Sequence, residues 1–270
     1  MNDQKILVPI DFSEVTKTVI DMAVYIAVKN KMTISLLHLE NNKSGSDPYE
    51  KMKELASQTQ TGSSVNFEFL LKPGNIFHEI ARTANDGQFK LMVIGSHGYK
   101  GLREKIFGAD ILKLLRSIPI PVLTVQKNFQ IPKNGFEKIL FPAGSHDSFI
   151  HKIEATIYFA GLFNSEVHLY SVEKPGIEWS DEIRNNIRKA KSEFERKKIS
   201  YKRVREEQSA FSVGYAKQIM DYAKRVNVDL IAFMANPTKE HFYFADTDKE
   251  IMLTNKACIP ILSTNDKSVV

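Results

Sequence analysis

Short apolar runs alternate along this chain with longer segments whose apolar positions recur every third or fourth residue, the pattern of β-strands alternating with amphipathic helices. In the first half the pattern predicts strands over residues 5–10, 33–39, 65–71, 90–95 and 121–126, and helices over 13–29, 48–58, 75–85 and 109–117. The first helix carries Val15, Val19, Met22 and Ile26 on one stripe, with Asp11 and Glu14 spaced as a capping box. Asp47-Pro48 supplies a cap followed by proline at the first helical position, a start signal for the second helix.

The second half replays this order. Lys5-Ile6-Leu7-Val8-Pro9 returns as Lys138-Ile139-Leu140-Phe141-Pro142, Leu91-Met92-Val93-Ile94 as Leu230-Ile231-Ala232-Phe233, and Ile120-Pro121-Val122-Leu123 as Ile259-Pro260-Ile261-Leu262. A duplication explains all three pairs. The expected fold class is therefore α/β: two tandem, doubly wound, open parallel-sheet (Rossmann-like) domains of five strands and four helices each. Residues 1–127 form the first domain and 137–270 the second, with the polar, Pro- and Gly-bearing stretch 128–136 as linker. In such sheets ligands bind beyond the carboxyl ends of the strands where strand order reverses, so a site is expected after Ile10, Leu39 and Gly95.

One segment there carries chemistry. Gly95-Ser96-His97-Gly98-Tyr99-Lys100-Gly101-Leu102-Arg103-Glu104-Lys105-Ile106-Phe107-Gly108 leaves a strand and re-enters a helix near Ala109. Glycine lets backbone amides approach a ligand closely, and a helix N-terminus offers unpaired N–H groups with a positive dipole end, a combination that suits phosphate. The spacing Gly95, Gly98, Gly108, the strand after it (Pro119 to Val125) and the opening Ile6-Leu7-Val8-Pro9-Ile10-Asp11-Phe12-Ser13 together resemble the universal stress protein family.

The resemblance covers the first half well and the second through its strands. It implies an adenine nucleotide, ATP, with Pro9, Asp11 and Leu39 beside adenine and ribose and with Gly95, Gly98, Gly108 and the backbone of Ala109 around the phosphates, near Lys100. It also implies a role in stress response or signalling, and dimerisation through the last strand, which in a duplicated chain becomes an intrachain pseudo-dimer. The sequence departs from the family where Ala109 and Asp110 follow the last glycine in place of a hydroxyl residue. Asp110 in the first helical turn opposes phosphate, although Lys100, Arg103 or Lys105 can offset it. In the second half Met234, Pro237 and Thr247 replace the three glycines and Gly144 replaces Asp11, so that half reads as structural or partner-binding.

Composition narrows the remaining classes. At 43% apolar over 270 residues the chain can bury two cores, and its one cysteine, Cys258, excludes a disulfide framework; Cys258 is expected as a small buried residue before a strand. The start at Met1 lacks the pattern of a signal peptide and no run suits a membrane span, so a cytoplasmic location is expected. The net charge of +5 gathers between Arg184 and Arg205, on a helix whose Ile183, Ile187, Ala190 and Phe194 form the inner stripe; a solvated outer face accounts for it, and no nucleic-acid motif accompanies it. Seven histidines lack metal-ligand spacing. His38 and His168, on matching strands, read as products of the duplication, Phe67 and Phe69 as core, and Phe242, Tyr243 and Phe244 as a filled pocket or a contact patch. No catalytic constellation is visible; His97 in the loop has no evident partner, and the most the sequence allows is a slow ATPase. The alternative is a nucleotide-free interaction or scaffold protein with a degenerate site, possessing a protein partner instead of a ligand.

Overall fold

A computed structural model describes residues 4–40, 47–59, 65–86, 89–96, 109–173, 175–176, 178–207, 215–238 and 246–269. Among these, ten strands alternate with eight helices. The first half runs β1 (Lys5–Ile10), α1 (Thr16–Asn30), β2 (Thr33–Glu40), α2 (Pro48–Thr59), β3 (Phe67–Pro73), α3 (Ile76–Asp86), β4 (Phe89–Ser96), α4 (Ala109–Ser117), β5 (Val122–Gln126). The second runs β6 (Lys138–Pro142), α5 (Phe149–Phe163), β7 (Glu166–Glu173), α6 (Asp181–Arg196), β8 (Tyr201–Glu207), α7 (Tyr215–Arg225), β9 (Leu230–Met234), α8 (Asp246–Leu253), β10 (Ile261–Thr264).

All strands join one sheet in the order β3-β2-β1-β4-β5-β10-β9-β6-β7-β8. Neighbours are parallel except at the centre, where β5 and β10 pair antiparallel with Thr124 opposite Ile261, Leu123 opposite Leu262 and Val122 opposite Ser263. The expected pseudo-dimer is thus a shared sheet through the two last strands. Strand order reverses between β1 and β4 in one half and between β6 and β9 in the other.

Alternate residues of a strand face opposite sides, and here both sides are covered. Ile6 and Val8 of β1 join the layer built with α1, α2, α5 and α6, whereas Leu7 joins the layer of α3, α4, α7 and α8. Helix α1 ends at Lys31 in a left-handed cap whose N–H donates to Ala27 O, and α5 ends at Asn164 in the same cap donating to Ala160 O. Lys31 and Asn164 are separated by the same offset as Lys5 and Lys138, so the repeat extends to helix termination. On α6, Ile183, Ile187, Ala190 and Phe194 are buried and Arg188, Lys189, Lys191 and Arg196 exposed, as the stripe required.

Four local expectations change. Asp11 and Glu14 do not form a capping box: α1 begins at Thr16 without a side-chain cap, Asp11 Oδ1 accepts from Ser13 N at 2.9 Å in the preceding turn, and Glu14 reaches out to Lys127. His38 and His168 are not equivalent. Register sets Ser35 opposite Leu7 and His168 opposite Leu140, so Ser35 is the counterpart of His168 and Ser171 that of His38. Phe67 and Phe69 stack 6.5 Å apart but are only half-buried, because β3 is the edge of the sheet. Cys258 is likewise half-exposed, in a left-handed turn at φ 53°. The run Phe242 to Phe244 lies outside the described residues.

Candidate functional site

The carboxyl ends of β1, β2 and β4 surround a cavity of about 470 Å³. Its walls include Pro9 and Ile10 of β1 and Asp11 after it, Leu37, His38 and Leu39 of β2, Gly74 and Asn75 before α3, Ile94 and Gly95 of β4, Val15 just before α1 and Val19 of α1, and Ile111 and Leu114 of α4. Four residues singled out in the sequence, Pro9, Asp11, Leu39 and Gly95, therefore meet in one wall. Ala109 begins α4, which forms another side. Gly98, Lys100 and Gly108, with His97, lie outside the described residues.

Local chemistry shapes this end. Asp11 Oδ1 takes the Ser13 amide and, at 3.5 Å, the Thr16 hydroxyl, bending the chain from β1 towards α1. That bend forces Phe12 into the left-handed region at φ 60°, where its ring meets the His38 ring at a centroid distance of 4.4 Å. His38 Nδ1 lies 3.0 Å from Ile10 O, so Nδ1 carries a proton and donates it; in the neutral ring Nε2 is then an acceptor. Across the cavity, Asn75 Oδ1 accepts from the amides of Phe77 and His78 and starts α3, and Gly74 supplies the positive φ of 125° that the turn needs.

Gly95 has a packing reason to be glycine: a Cβ there would lie 2.5 Å from Val15 Cγ1 and 2.8 Å from Val15 Cγ2. Among the described lining residues Asp11 is the one Asp, Glu, Lys or Arg, and the rest of the wall is mainly aliphatic. No group of His, Cys, Asp and Glu among the described residues could hold a metal.

The matching end of the second half is filled. Pro142, Ala143, Tyr170 and Val172, with Trp179, Ile183 and Tyr215, leave about 10 Å³, room for one water-sized particle. By register Tyr170 replaces Leu37, and by the α1/α5 match Lys152 replaces Val19. Larger side chains have closed the cleft. Residues of the two halves also interlock: Arg116 of α4 donates to Ala235 O at 2.9 Å and pairs with Asp246 at the start of α8, and Ser96 Oγ donates to Leu253 O at 3.1 Å.

Residues 3–126 match the family model described as the universal stress protein family. The first half of this tandem chain thus carries a universal stress protein domain. A relative, universal stress protein YxiE of Bacillus subtilis (strain 168), is 28% identical over 149 residues, covering 45% of this chain and 98% of its own. Among solved structures, a universal stress protein from Archaeoglobus fulgidus DSM 4304 superposes with a TM-score of 0.70 at 15% identity, over 97% of this chain and 98% of its own. A putative universal stress protein from Pseudomonas aeruginosa UCBPP-PA14 does so at 0.61 and 19%, over 98% and 93%. At those identities the likeness concerns the fold. No helix among the described residues is long and apolar enough to cross a membrane.

Sequence reasoning missed His38, Asn75, Val15 and Val19 as walls of the cavity. The Pro73-Gly74-Asn75 turn was a usable signal for Asn75. Val15 and Val19 sat on a stripe that reads as core, and His38 was read as a by-product of the repeat. The buried Lys152 was missed as well, although a lysine among Phe149, Ile153 and Thr156 on the inner stripe of α5 breaks the pattern.

Proposed function

We propose that this tandem chain works in the cytoplasm as a stress-response or signalling module that holds an adenine nucleotide, ATP, in its first half. Pro9, Asp11 and Leu39 border adenine and ribose; Gly95, Gly98, Gly108 and the Ala109 amide wrap the phosphates, assisted by Lys100. The observation that carries the reading is the cavity of about 470 Å³ at the β1/β4 reversal, walled by four of those residues, against about 10 Å³ at the matching place in the second half. The same proposal takes residues 1–127 and 137–270 as the two domains and 128–136 as linker.

A second reading, a nucleotide-free interaction protein, draws on one observation: Asp11 is the one Asp, Glu, Lys or Arg in the described wall, which favours base and sugar over phosphate. Mass spectrometry of ligand released from freshly purified, denatured protein separates the two readings. Calorimetric titration is expected to give one ATP per chain, between roughly −4 and −8 kcal/mol, or millimolar to micromolar. Gly98→Val is expected to abolish binding; ATP bound unchanged by that variant sinks the site assignment.

A further inference from the structure

Four polar side chains wall the cavity of the first half: Asp11, Thr16, His38 and Asn75. Three of them also hold the chain in place. Asp11 Oδ1 takes the Ser13 amide and, at 3.5 Å, the Thr16 hydroxyl, and Asn75 Oδ1 takes the Phe77 and His78 amides, which leaves Asn75 its Nδ2 protons as donors. His38 presents the opposite chemistry.

Parallel register sets His38 opposite Ile10, and its Nδ1 lies 3.0 Å from Ile10 O. A carbonyl oxygen only accepts, so the proton of the neutral ring stays on Nδ1. Phe12 holds the ring from a second side, its centroid 4.4 Å from that of His38. Turning the ring over would put a C–H group against Ile10 O and forfeit that bond. Both tautomer and orientation are thus set by the protein itself, and Nε2 is left as an acceptor that no donor reaches among the described residues.

An acceptor without a proton, fixed in the wall of a base pocket, reads the exocyclic group of a purine. Adenine carries an amino group there, which donates. Hypoxanthine and guanine carry a carbonyl oxygen, whose lone pairs would face those of Nε2 and leave both groups unpaired. The cavity of about 470 Å³ falls within the usual size of ligand pockets. Asp11 follows Ile10 in the chain, so a carboxylate for the sugar and an acceptor for the base stand on neighbouring strand ends.

On the nucleotide reading above, we propose that His38 is the residue that selects the base: its Nε2 accepts a hydrogen from the amino group of adenine and rejects purines that carry a carbonyl in its place. Phe12 is a positioning residue for this contact.

Full-length protein is titrated calorimetrically with ATP and with inosine triphosphate, in which a carbonyl replaces the amino group of adenine. The wild type is expected to bind ATP about tenfold or more tightly than the inosine nucleotide. His38→Leu removes the acceptor and is expected to bring the two affinities together, chiefly by weakening ATP. If His38→Leu does not fold, His38→Gln carries the comparison: its amide can turn either oxygen or nitrogen towards the base, so the preference is expected to narrow there too. Equal affinities in the wild type, or a preference that the variants keep in full, overturns the role of His38 and leaves the nucleotide site standing. Binding of neither nucleotide by the wild type overturns the nucleotide reading and this proposal with it.

Discussion

Val15 Cγ1 stands 2.5 Å from the point that a Cβ on Gly95 would occupy, and Val15 is β-branched and buried, with little room to turn away. Gly95 is thus required by the approach of α1 to β4. Gly95→Ala is expected to lose about 1–3 kcal/mol by overpacking, and Val15→Ala in the same chain to recover most of that loss. Urea unfolding of the two single variants and the double variant checks it. A Gly95→Ala chain as stable as wild type would show that α1 yields freely here, and a phosphate-side reason for the glycine would then be needed.

Asn265, just after β10, is 1% exposed and ties the two halves together: its Nδ2 donates to Leu115 O at 2.7 Å and Ile118 O at 2.6 Å, at the end of α4, while its Oδ1 accepts from Lys267 N at 2.8 Å. These carbonyls are orphans of the helix end, and burial makes an unmet one costly. Asn265→Ala is expected to lower stability by about 2–4 kcal/mol, taking each net hydrogen bond as about 1 kcal/mol and adding the penalty for carbonyls left buried. Asn265→Asp is expected to be worse, since a carboxylate would face two carbonyl oxygens. Equal stability of the three proteins in urea would remove this residue from the interface account.

Acid is expected to weaken the second half. Burial, and then Lys152 and Lys249, hold His146 well below its ordinary value of about 6.5; burial does the same to Lys152, and pushes Lys249 down to about 8. For bases lowered in the folded state, the unfolded chain binds more protons, so stability is lost as pH falls from the unfolded value towards the folded one. For His146 that window opens below about pH 6.5, and for Lys249 it runs from about 10.5 down to about 8. His146→Gln is expected to flatten the stability profile between about pH 7 and pH 5, and Lys249→Met that between about pH 9.5 and pH 8. Parallel profiles for variant and wild type would contradict the burial argument.

The strands and the duplication were legible because parallel strands covered on both faces must be apolar throughout, and Lys5 to Pro9 and Lys138 to Pro142 show this directly. Polar turn chemistry was less legible. Asp11 and Glu14 have the spacing of a capping box, yet Asp11 serves the turn before α1 and Glu14 an ion pair with Lys127, partners that lie far apart in sequence or depend on where the helix begins. His38 and His168 share a strand type, and only register separates them by three positions. Of the candidate site, Pro9, Asp11, Leu39 and Gly95 were reachable by placing them at strand ends, whereas Val19 and Lys152 differ in role through volume and burial that a helical stripe does not express.

Ala109 and Asp110 open α4, which forms one side of the cavity through Ile111 and Leu114, so their backbone amides belong to the helix end nearest the proposed phosphates. Two changes should tighten ATP if that proposal holds. Ala109→Ser adds a neutral hydroxyl donor at the helix start, and Asp110→Asn removes a negative charge from the first turn, where it competes with phosphate for the same dipole. Each is expected to contribute about 0.5–2 kcal/mol, and as neighbours they need not add. Salt separates them: the Asp110 effect is electrostatic and should shrink at high ionic strength, whereas the hydroxyl effect should persist. Adenosine, which has no phosphate, should bind both variants as it binds the wild type. Calorimetric titration of ATP and adenosine at low and high salt decides the matter. No tightening of ATP in either variant would mean that phosphates do not reach α4, and the nucleotide-free reading would then take first place.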